Sequence, residues 1–575
     1  MVKSKIPGKV NPLAKLLGGV RPLVFCLAFA LLGCSVVDTR VMERWAKIRV
    51  AEPERDKDGL PTIPPVLPVV FIPGSKGSIL KRHDCHGQVL WGNTRVVRLS
   101  ALDDLLVPLP KDGVPDPQRF DQKIEPCGIV GVFEVRLVFP LLATFEYPIY
   151  QNLSEILERA GGFRRDRNVF YFSYDWRLDT RIAAVELAAD LPDFRDKYYK
   201  EYLKPYCLKW RGEGPAPGAE ERFLQECLAA VSAQWPDLVK PRERDPDGKH
   251  HIRFNIVTHS LGGLVARYFI QGLGYGDDVR NVALISSPSA GAMFVLKIMV
   301  AGEHALPDTL LQFYQEKETR PIGISFQSAF QGLPRYAGAV TADGDPLFQK
   351  AIGLTEELPA FDSEWETRWE SIVDLGDPSW NLICEKSGEG SGFSPSCRKR
   401  FFQHLRDELE SSVYFQQILN DGFCGSWGEP QDRVDRRQRY ERGKVEKTKA
   451  IVTTIRQRFQ GKALKVAPRG CPREGDEPQF IQFYGHCDLT PTVAVARKQG
   501  RWKLSFCEGE DPAKDACHAF GDGRIPRVSN ALLRQQVDLA TDFFLCVDHV
   551  EVVKRTVVQD NLLGILFGDR VDVVP

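Results

Sequence analysis

The sequence predicts an α/β fold with a mostly parallel central sheet and large cap or lid insertions. Two observations carry that reading. Short apolar runs rich in β-branched and aromatic residues recur along the 575 residues: "PVVFIPG" (68–74), "NVFYFSYDWR" (168–177), "HIRFNIVTH" (251–259), "VRNVALISSP" (279–288), "QFIQFYG" (479–485) and "TDFFLCVDH" (541–549). Runs that are continuously apolar read as strands buried on both faces, as in a parallel sheet. Helical patterns alternate with them, at 150–162, 261–274 and 550–567, and alternating strands and helices argue for a parallel sheet covered by helices.

Composition narrows the function. Lys plus Arg and Asp plus Glu are equal at 76 each. No net field or basic, aromatic-interleaved stripe invites nucleic acid. At 43% hydrophobic, the chain has ample material for a large core.

The first residues read as a targeting segment. Lys3, Lys5, Lys9, Lys15 and Arg21 precede the apolar "PLVFCLAFALLGC" (22–34) with no acidic residue between. The apolar part, about ten residues, is too short to span a bilayer and suits a signal h-region. "LLGC" resembles a bacterial lipobox, which implies lipidation at Cys34 and a mature chain that begins there. Ser35 after the cysteine resembles lipoproteins sent to the outer membrane. The expectation is a signal peptide over 1–33, a lipidated, Pro-rich tether over 34–66, and an exported, membrane-anchored domain over 67–575. The cysteines agree with export. Beyond Cys26 and Cys34, twelve remain of 14, an even set that reads as disulfides whose connectivity the sequence does not give.

Two segments, about 180–250 and 292–478, interrupt the strand rhythm with charged residues, Pro, Trp and Cys. Because the strand pattern resumes after each, they read as insertions that form a cap or lid.

The strand–Ser–helix junction carries the chemistry. In "FNIVTHSLGGLVARYFI" (254–270) a strand runs into Ser260, then Gly262 and Gly263, then a helical pattern. A serine hydroxyl is a weak nucleophile; it needs a base and donors for the oxyanion. A tight strand–Ser–helix turn exposes the hydroxyl and aims helix N-terminal N–H groups at the reacting oxygen. Thr258 stands where G-x-S-x-G has glycine, so the match is imperfect.

The partners should follow in the order Ser, acid, His. Of His304, His404, His486, His518 and His549, only His549 lies at the mouth of a strand before a closing helix. Asp522, between Gly521 and Gly523, is the acid that fits it. Asp488 with His518 is the rival pair in the same order; placement favours Asp522 with His549. The oxyanion donors are the N–H of Leu261, after the nucleophile, and that of Ser75, after Pro73-Gly74. "HDCH" (83–86) and "HCD" (486–488) contain metal-ligand types, but Cys85 and Cys487 read better as disulfide partners, so no metal is expected.

Six segments in the same order resemble the lecithin:cholesterol acyltransferase family, with its lysosomal phospholipase A2 and phospholipid:diacylglycerol acyltransferase relatives. They are "VVFIPGSKGSIL", "FSYDWRLD", "VTHSLGG", "FYGHCDLTPT", "GDGRIPRVS" and "DHVEVV". The resemblance implies an α/β-hydrolase fold with Ser260, Asp522 and His549 as triad and no cofactor or metal. It also implies an acyl-enzyme formed from a lipid ester and passed to water or an alcohol; a membrane-tethered enzyme would sit beside phospholipid, which makes phospholipid the expected donor. It moves Asp488 to a place near the site. Thr258, and Ile525 where the family has Val, depart from its pattern, and little over 292–478 resembles it. Two other readings share these residues: a hydrolase of non-lipid esters or peptides, and a non-catalytic lipoprotein that binds lipid or a partner on the hydrolase scaffold.

Overall fold

The computed structural model describes residues 43–45, 53–92, 103–109, 124–137, 143–241, 250–302, 316–342, 345–355, 357–388, 390, 392–421, 477–499, 501–506, 518–537 and 539–568. The expected signal peptide and Cys34 lie outside them, as do Cys424, Cys471, Cys507, Cys517 and His304.

The six apolar runs form one parallel sheet: β1 (Val69–Ile72), β2 (Val169–Tyr171), β3 (Phe254–His259), β4 (Val279–Ile285), β5 (Gln479–Gly485) and β6 (Leu539–Leu545). Their spatial order is β6-β5-β4-β3-β1-β2, parallel at every pairing. The chain therefore reverses its direction of travel across the sheet between β1 and β3. At such a switch point the loops leaving two adjacent strands diverge and open a crevice outside the carboxyl ends.

Why the runs are continuously apolar is visible in the packing. Successive residues of each strand point to opposite faces. Val70, Ile72, Ile256, Val282, Leu284 and Phe480 belong to the core on one face. Val69, Phe71, Val257, Ala283, Ile285, Ile481 and Phe483 belong to the core on the other. Each fully buried Val, Leu, Ile or Phe contributes about 1.5–3 kcal/mol, so two-sided burial holds strands as short as β1 and β2.

On the first face lie α1 (Thr180–Tyr198), α2 (Gly262–Arg267), which continues as a π-helical turn to Gly272, and the 27-residue α3 (Pro395–Asp421). α1 packs against α2 and its π turn. On the second face lie α4 (Thr556–Leu566) and the helical turns over 151–160.

The 168–177 run is longer than the strand it makes. Only Val169–Tyr171 pair in the sheet; the following Tyr174-Asp175-Trp176-Arg177 turns inward as a buried loop. Asp175 and Arg177 form a buried ion pair at 2.6 Å, and the Trp176 indole donates to the Ser78 carbonyl at 3.3 Å. The aromatic pair packs and the charged pair neutralises itself, so the stretch is buried without joining the sheet.

Polar contacts join the two segments read as insertions to each other. Asp179 caps α1 by accepting from the Arg181 N–H at 2.8 Å and pairs with the Arg181 side chain. Gln331 donates to Asp179 at 2.6 Å and accepts from the Thr180 N–H at 2.8 Å. Arg181 also bonds Ser411 of α3.

The Pro-rich stretch expected as a tether is partly docked. Tyr198 and Tyr206 donate to the Val66 and Ile63 carbonyls at 3.1 and 2.6 Å. Tyr202 accepts from the Val66 N–H at 3.0 Å. Trp45 is fully buried against Phe567, and its indole donates to Asp560 at 2.8 Å. Tyrosine hydroxyls supply the polar partners that an irregular, proline-broken segment cannot find in its own backbone.

Among the described residues, four disulfides join Cys85 to Cys127, Cys207 to Cys227, Cys384 to Cys397 and Cys487 to Cys546. Cys85 and Cys487, the cysteines of the two metal-like clusters, are thus both in disulfides.

Candidate active site

Ser260 stands on the turn between β3 and α2 with φ at 51°, the left-handed region that side chains normally avoid at a cost of order 1–3 kcal/mol. Its N–H donates to the Ile285 carbonyl at 2.8 Å, so β4 fixes the turn from one side. On the other side the β1 turn leaves no room. A Cβ at Gly262 would lie 2.4 Å from the Ile72 carbonyl oxygen and 2.5 Å from that of Pro73. A Cβ at Gly263 would lie 2.1 Å from the Ser287 hydroxyl. The first glycine lets the elbow touch the turn after β1; the second lets α2 settle on β4. Thr258, the departure from the elbow pattern, is buried with its hydroxyl donating to the Ala283 carbonyl at 3.2 Å. That bond to the neighbouring strand explains why a residue larger than glycine fits there.

The loop after β6 brings His549 to the serine. Its Nε2 lies 3.0 Å from Ser260 Oγ, and its Nδ1 lies 2.8 Å from Asp522 Oδ2. The backbone repeats the link: the His549 N–H donates to the Asp522 carbonyl at 2.8 Å. Asp522 is fully buried. Its second oxygen accepts from the N–H groups of Arg524 and Ile525 at 3.0 and 2.7 Å. Burial by itself would raise this carboxyl. The adjacent His549, through its charge and hydrogen bond, and the two backbone donors outweigh burial and hold the carboxyl below its ordinary range. An ionised Asp522 can only accept, so Nδ1 carries the proton and Nε2 presents a lone pair to the Ser260 hydroxyl.

Small residues make this convergence possible. A Cβ at Gly485, the end of β5, would lie 2.1 Å from the Val547 carbonyl oxygen and 2.5 Å from Asp522 Cβ. The Gly523 N–H donates to Thr490 Oγ1 at 2.9 Å, so the Thr-Pro segment after β5 holds the aspartate turn. The Cys487–Cys546 disulfide ties the ends of β5 and β6.

The turn after β1 faces the elbow. A Cβ at Gly74 would lie 2.8 Å from that of Ser260, and Tyr174 donates to the Pro73 carbonyl at 3.0 Å. Ser75 follows Gly74 and is exposed; Leu261 follows Ser260 and already has helical backbone angles, φ −54° and ψ −30°.

The other sequence candidates lie elsewhere. The ribbon formed by Asp488–Pro491 and His518–Gly521 sets Asp488 opposite Gly521 and His518 opposite Pro491. His486 lies against the rings of Phe520 and Phe544. His404 is buried on α3 with Nε2 at 3.4 Å from the Ile324 carbonyl.

Sequence reasoning missed Tyr150 and His259, both buried beside the site. His259 stands out in the sequence only as the residue before Ser260, and nothing in the pattern gives it a partner. Tyr150 is 109 positions away from it.

No protein-family model matches the chain, and no curated protein matches it in sequence. Among solved structures, that of a Tle4–Tli4 complex aligns over 88% of this chain and 99% of its own, at 14% identity and a TM-score of 0.41. The α/β assignment rests on the sheet itself.

Proposed function

We propose that the protein is a serine-dependent acyl hydrolase or O-acyltransferase acting on a lipid ester, phospholipid above all. The observation that carries this reading is the continuous hydrogen-bonded line from Ser260 Oγ through His549 to Asp522. It lies at the carboxyl ends of the strands, beside the turn after β1.

In the proposed mechanism His549 Nε2 takes the Ser260 proton as Oγ attacks the ester carbonyl carbon. Asp522 holds the imidazole tautomer and stabilises the imidazolium. The N–H groups of Ser75 and Leu261 receive the oxyanion; each such donor is worth about a hundred- to a thousand-fold in rate. The carbonyl re-forms, and the leaving alcohol departs with the proton from His549. Water or an acceptor alcohol, deprotonated by His549, then attacks the acyl-enzyme and frees Ser260. The cap role of the 180–250 and 292–478 segments belongs to this proposal: exclusion of water by a cap favours transfer to an alcohol.

The lipid substrate draws support from the lipobox at Cys34 and from the six-segment resemblance. Lipidation at Cys34 would hold the enzyme on the cell envelope, at the outer membrane. Eight residues lie between Cys34 and Glu43, which is two positions before the docked Trp45, and the nine steps, fully extended, span at most about 32 Å. The domain would therefore stay near the bilayer surface.

The test is a product assay with a phospholipid carrying a labelled acyl chain, with and without a long-chain alcohol. Free labelled acid from the wild type and none from Ser260→Ala marks a hydrolase, and labelled ester appearing with the alcohol marks a transferase. Product from neither protein, with labelling of Ser260 by a fluorophosphonate, would move the substrate to non-lipid esters. Absence of both product and labelling would leave the non-catalytic binding reading.

A further inference from the structure

We infer that Tyr150 and His259 form a buried positioning dyad that locks three loops of the site into one geometry; the inference rests on the proposed function of Ser260. The Gly74 N–H donates to the Tyr150 hydroxyl oxygen at 2.9 Å. Tyr150 Oη lies 2.8 Å from His259 Nδ1, and His259 Nε2 lies 3.0 Å from the His549 carbonyl oxygen. One end of the chain is therefore the turn that carries Ser75. The middle is the residue before the nucleophile, and the other end is the backbone of the proposed base.

The direction of every bond follows from the ends. A backbone carbonyl can only accept, so His259 Nε2 carries its proton. A neutral imidazole with Nε2–H has an acceptor at Nδ1, so the Tyr150 O–H points there. The phenol oxygen is then free to accept from Gly74. Each donor in the chain meets one acceptor, with no clash of donors. Both side chains are buried, at 1% and 5% exposure, where an unpaired donor or acceptor costs about 1–3 kcal/mol. The arrangement is thus a single state. Burial first, with the neighbouring His549 second, pushes His259 down to about 3, consistent with a neutral ring.

The packing is fitted to the dyad. A Cβ at Gly77 would lie 2.9 Å from the Tyr150 ring, and one at Gly74 would lie 3.2 Å from His259 Nδ1. The turn after β1 closes over Tyr150 because glycine stands at both places. With the Gly74 N–H turned to Tyr150, the peptide after it is set for Ser75. With the His549 carbonyl held by His259, the imidazole of His549 is aimed at Ser260. Neither dyad residue is assigned contact with substrate, so these are positioning residues.

The experiment measures steady-state hydrolysis of p-nitrophenyl butyrate, the rate of Ser260 labelling by a fluorophosphonate, and the melting temperature. It compares the wild type with Tyr150→Phe, His259→Gln and His259→Leu. The expectation for Tyr150→Phe is a kcat about 10- to 100-fold lower with KM within twofold, and labelling slowed in parallel. His259→Gln keeps a carbonyl for Tyr150 and an N–H for the His549 carbonyl, so it should retain activity within about fivefold. His259→Leu should lose about 100-fold. Should Tyr150→Phe not fold, the Gln/Leu pair reads the same link from its other end. Wild-type rates in Tyr150→Phe and His259→Leu would overturn the dyad, as would equal losses in the Gln and Leu variants. A wild type that is itself unlabelled and inactive would overturn the function of Ser260, and the dyad's role with it.

Discussion

Asp522→Asn is the sharpest single perturbation, because the structure dictates which way the new amide faces. Asp522 Oδ1 accepts two backbone N–H groups, from Arg524 and Ile525, at 3.0 and 2.7 Å. An asparagine whose NH2 pointed at those donors would lose both bonds and set donor against donor, at about 1–3 kcal/mol for each buried group left unpaired. The amide oxygen therefore stays on the backbone donors, and the NH2 takes the place of Oδ2, 2.8 Å from His549 Nδ1. An NH2 there donates, so Nδ1 must accept and the imidazole proton moves to Nε2. Nε2–H then donates to Ser260 Oγ and has no lone pair to take its proton. The expected loss is about 10^4-fold in kcat, the size that follows when a triad imidazole is held in the wrong tautomer, equal to about 5.4 kcal/mol of barrier. The assay is steady-state hydrolysis of p-nitrophenyl butyrate at pH 7–8, with circular dichroism to show that the fold is kept. A loss below about tenfold would refute the reasoning, since it would mean that Asp522 does not set the tautomer of His549.

Gly262→Ala places a Cβ 2.4 Å from the Ile72 carbonyl oxygen; because the obstacle is backbone, the turn after β1 must shift. We expect activity on the same ester to fall by about a hundred-fold or more, as when an oxyanion donor is lost. Near-wild-type kcat would contradict it. Stability should fall with acid in a defined window: burial first pushes His259 to about 3 and His404 to about 4, from 6.5. Both histidines take up protons more readily in the unfolded chain. Each contribution is whole above pH 6.5 and is lost as pH falls, toward about 4 for His404 and about 3 for His259, at up to about 1.4 kcal/mol per pH unit for each. Urea unfolding at pH 7 and pH 5 reads this slope, and a flat profile would contradict it. Replacing Cys487 and Cys546 by serine opens a crosslink spanning 59 positions. The chain-entropy model gives about 4 kcal/mol for such a loop, to be read from urea unfolding of the double variant.

The sheet was legible because its strands are mostly β-branched and aromatic, and buried polar positions such as Asn255 and Asn281 pair across neighbouring strands at 3.0 Å. The elbow was legible because Ser260 sits between a β-branched run and two glycines, where the Cβ distances show that only small side chains fit. Asp522 and His549 could be placed by order and by the glycines on both sides of Asp522. The second strand was overread: Tyr174 and Trp176 continue the aromatic run past Tyr171, but their side chains turn inward onto the Pro73 and Ser78 carbonyls while Asp175 and Arg177 pair with each other. The stretch read as a free tether is partly held by Tyr198, Tyr202 and Tyr206, and no local pattern announces a hydroxyl supplied from more than a hundred residues away. Tyr150 and His259 were hidden for the same reason. Each looks like an ordinary core aromatic or turn residue until the fold joins them.

The central claim is that Ser260 carries the acyl group. The most direct measurement is mass spectrometry of the Ser260 peptide after acid quench of the enzyme mixed with a phospholipid bearing an isotope-labelled acyl chain. The account predicts a peptide heavier by one labelled acyl group in the wild type and no adduct in Ser260→Ala. Labelled product without an adduct on Ser260, or an adduct that persists in Ser260→Ala, would contradict it.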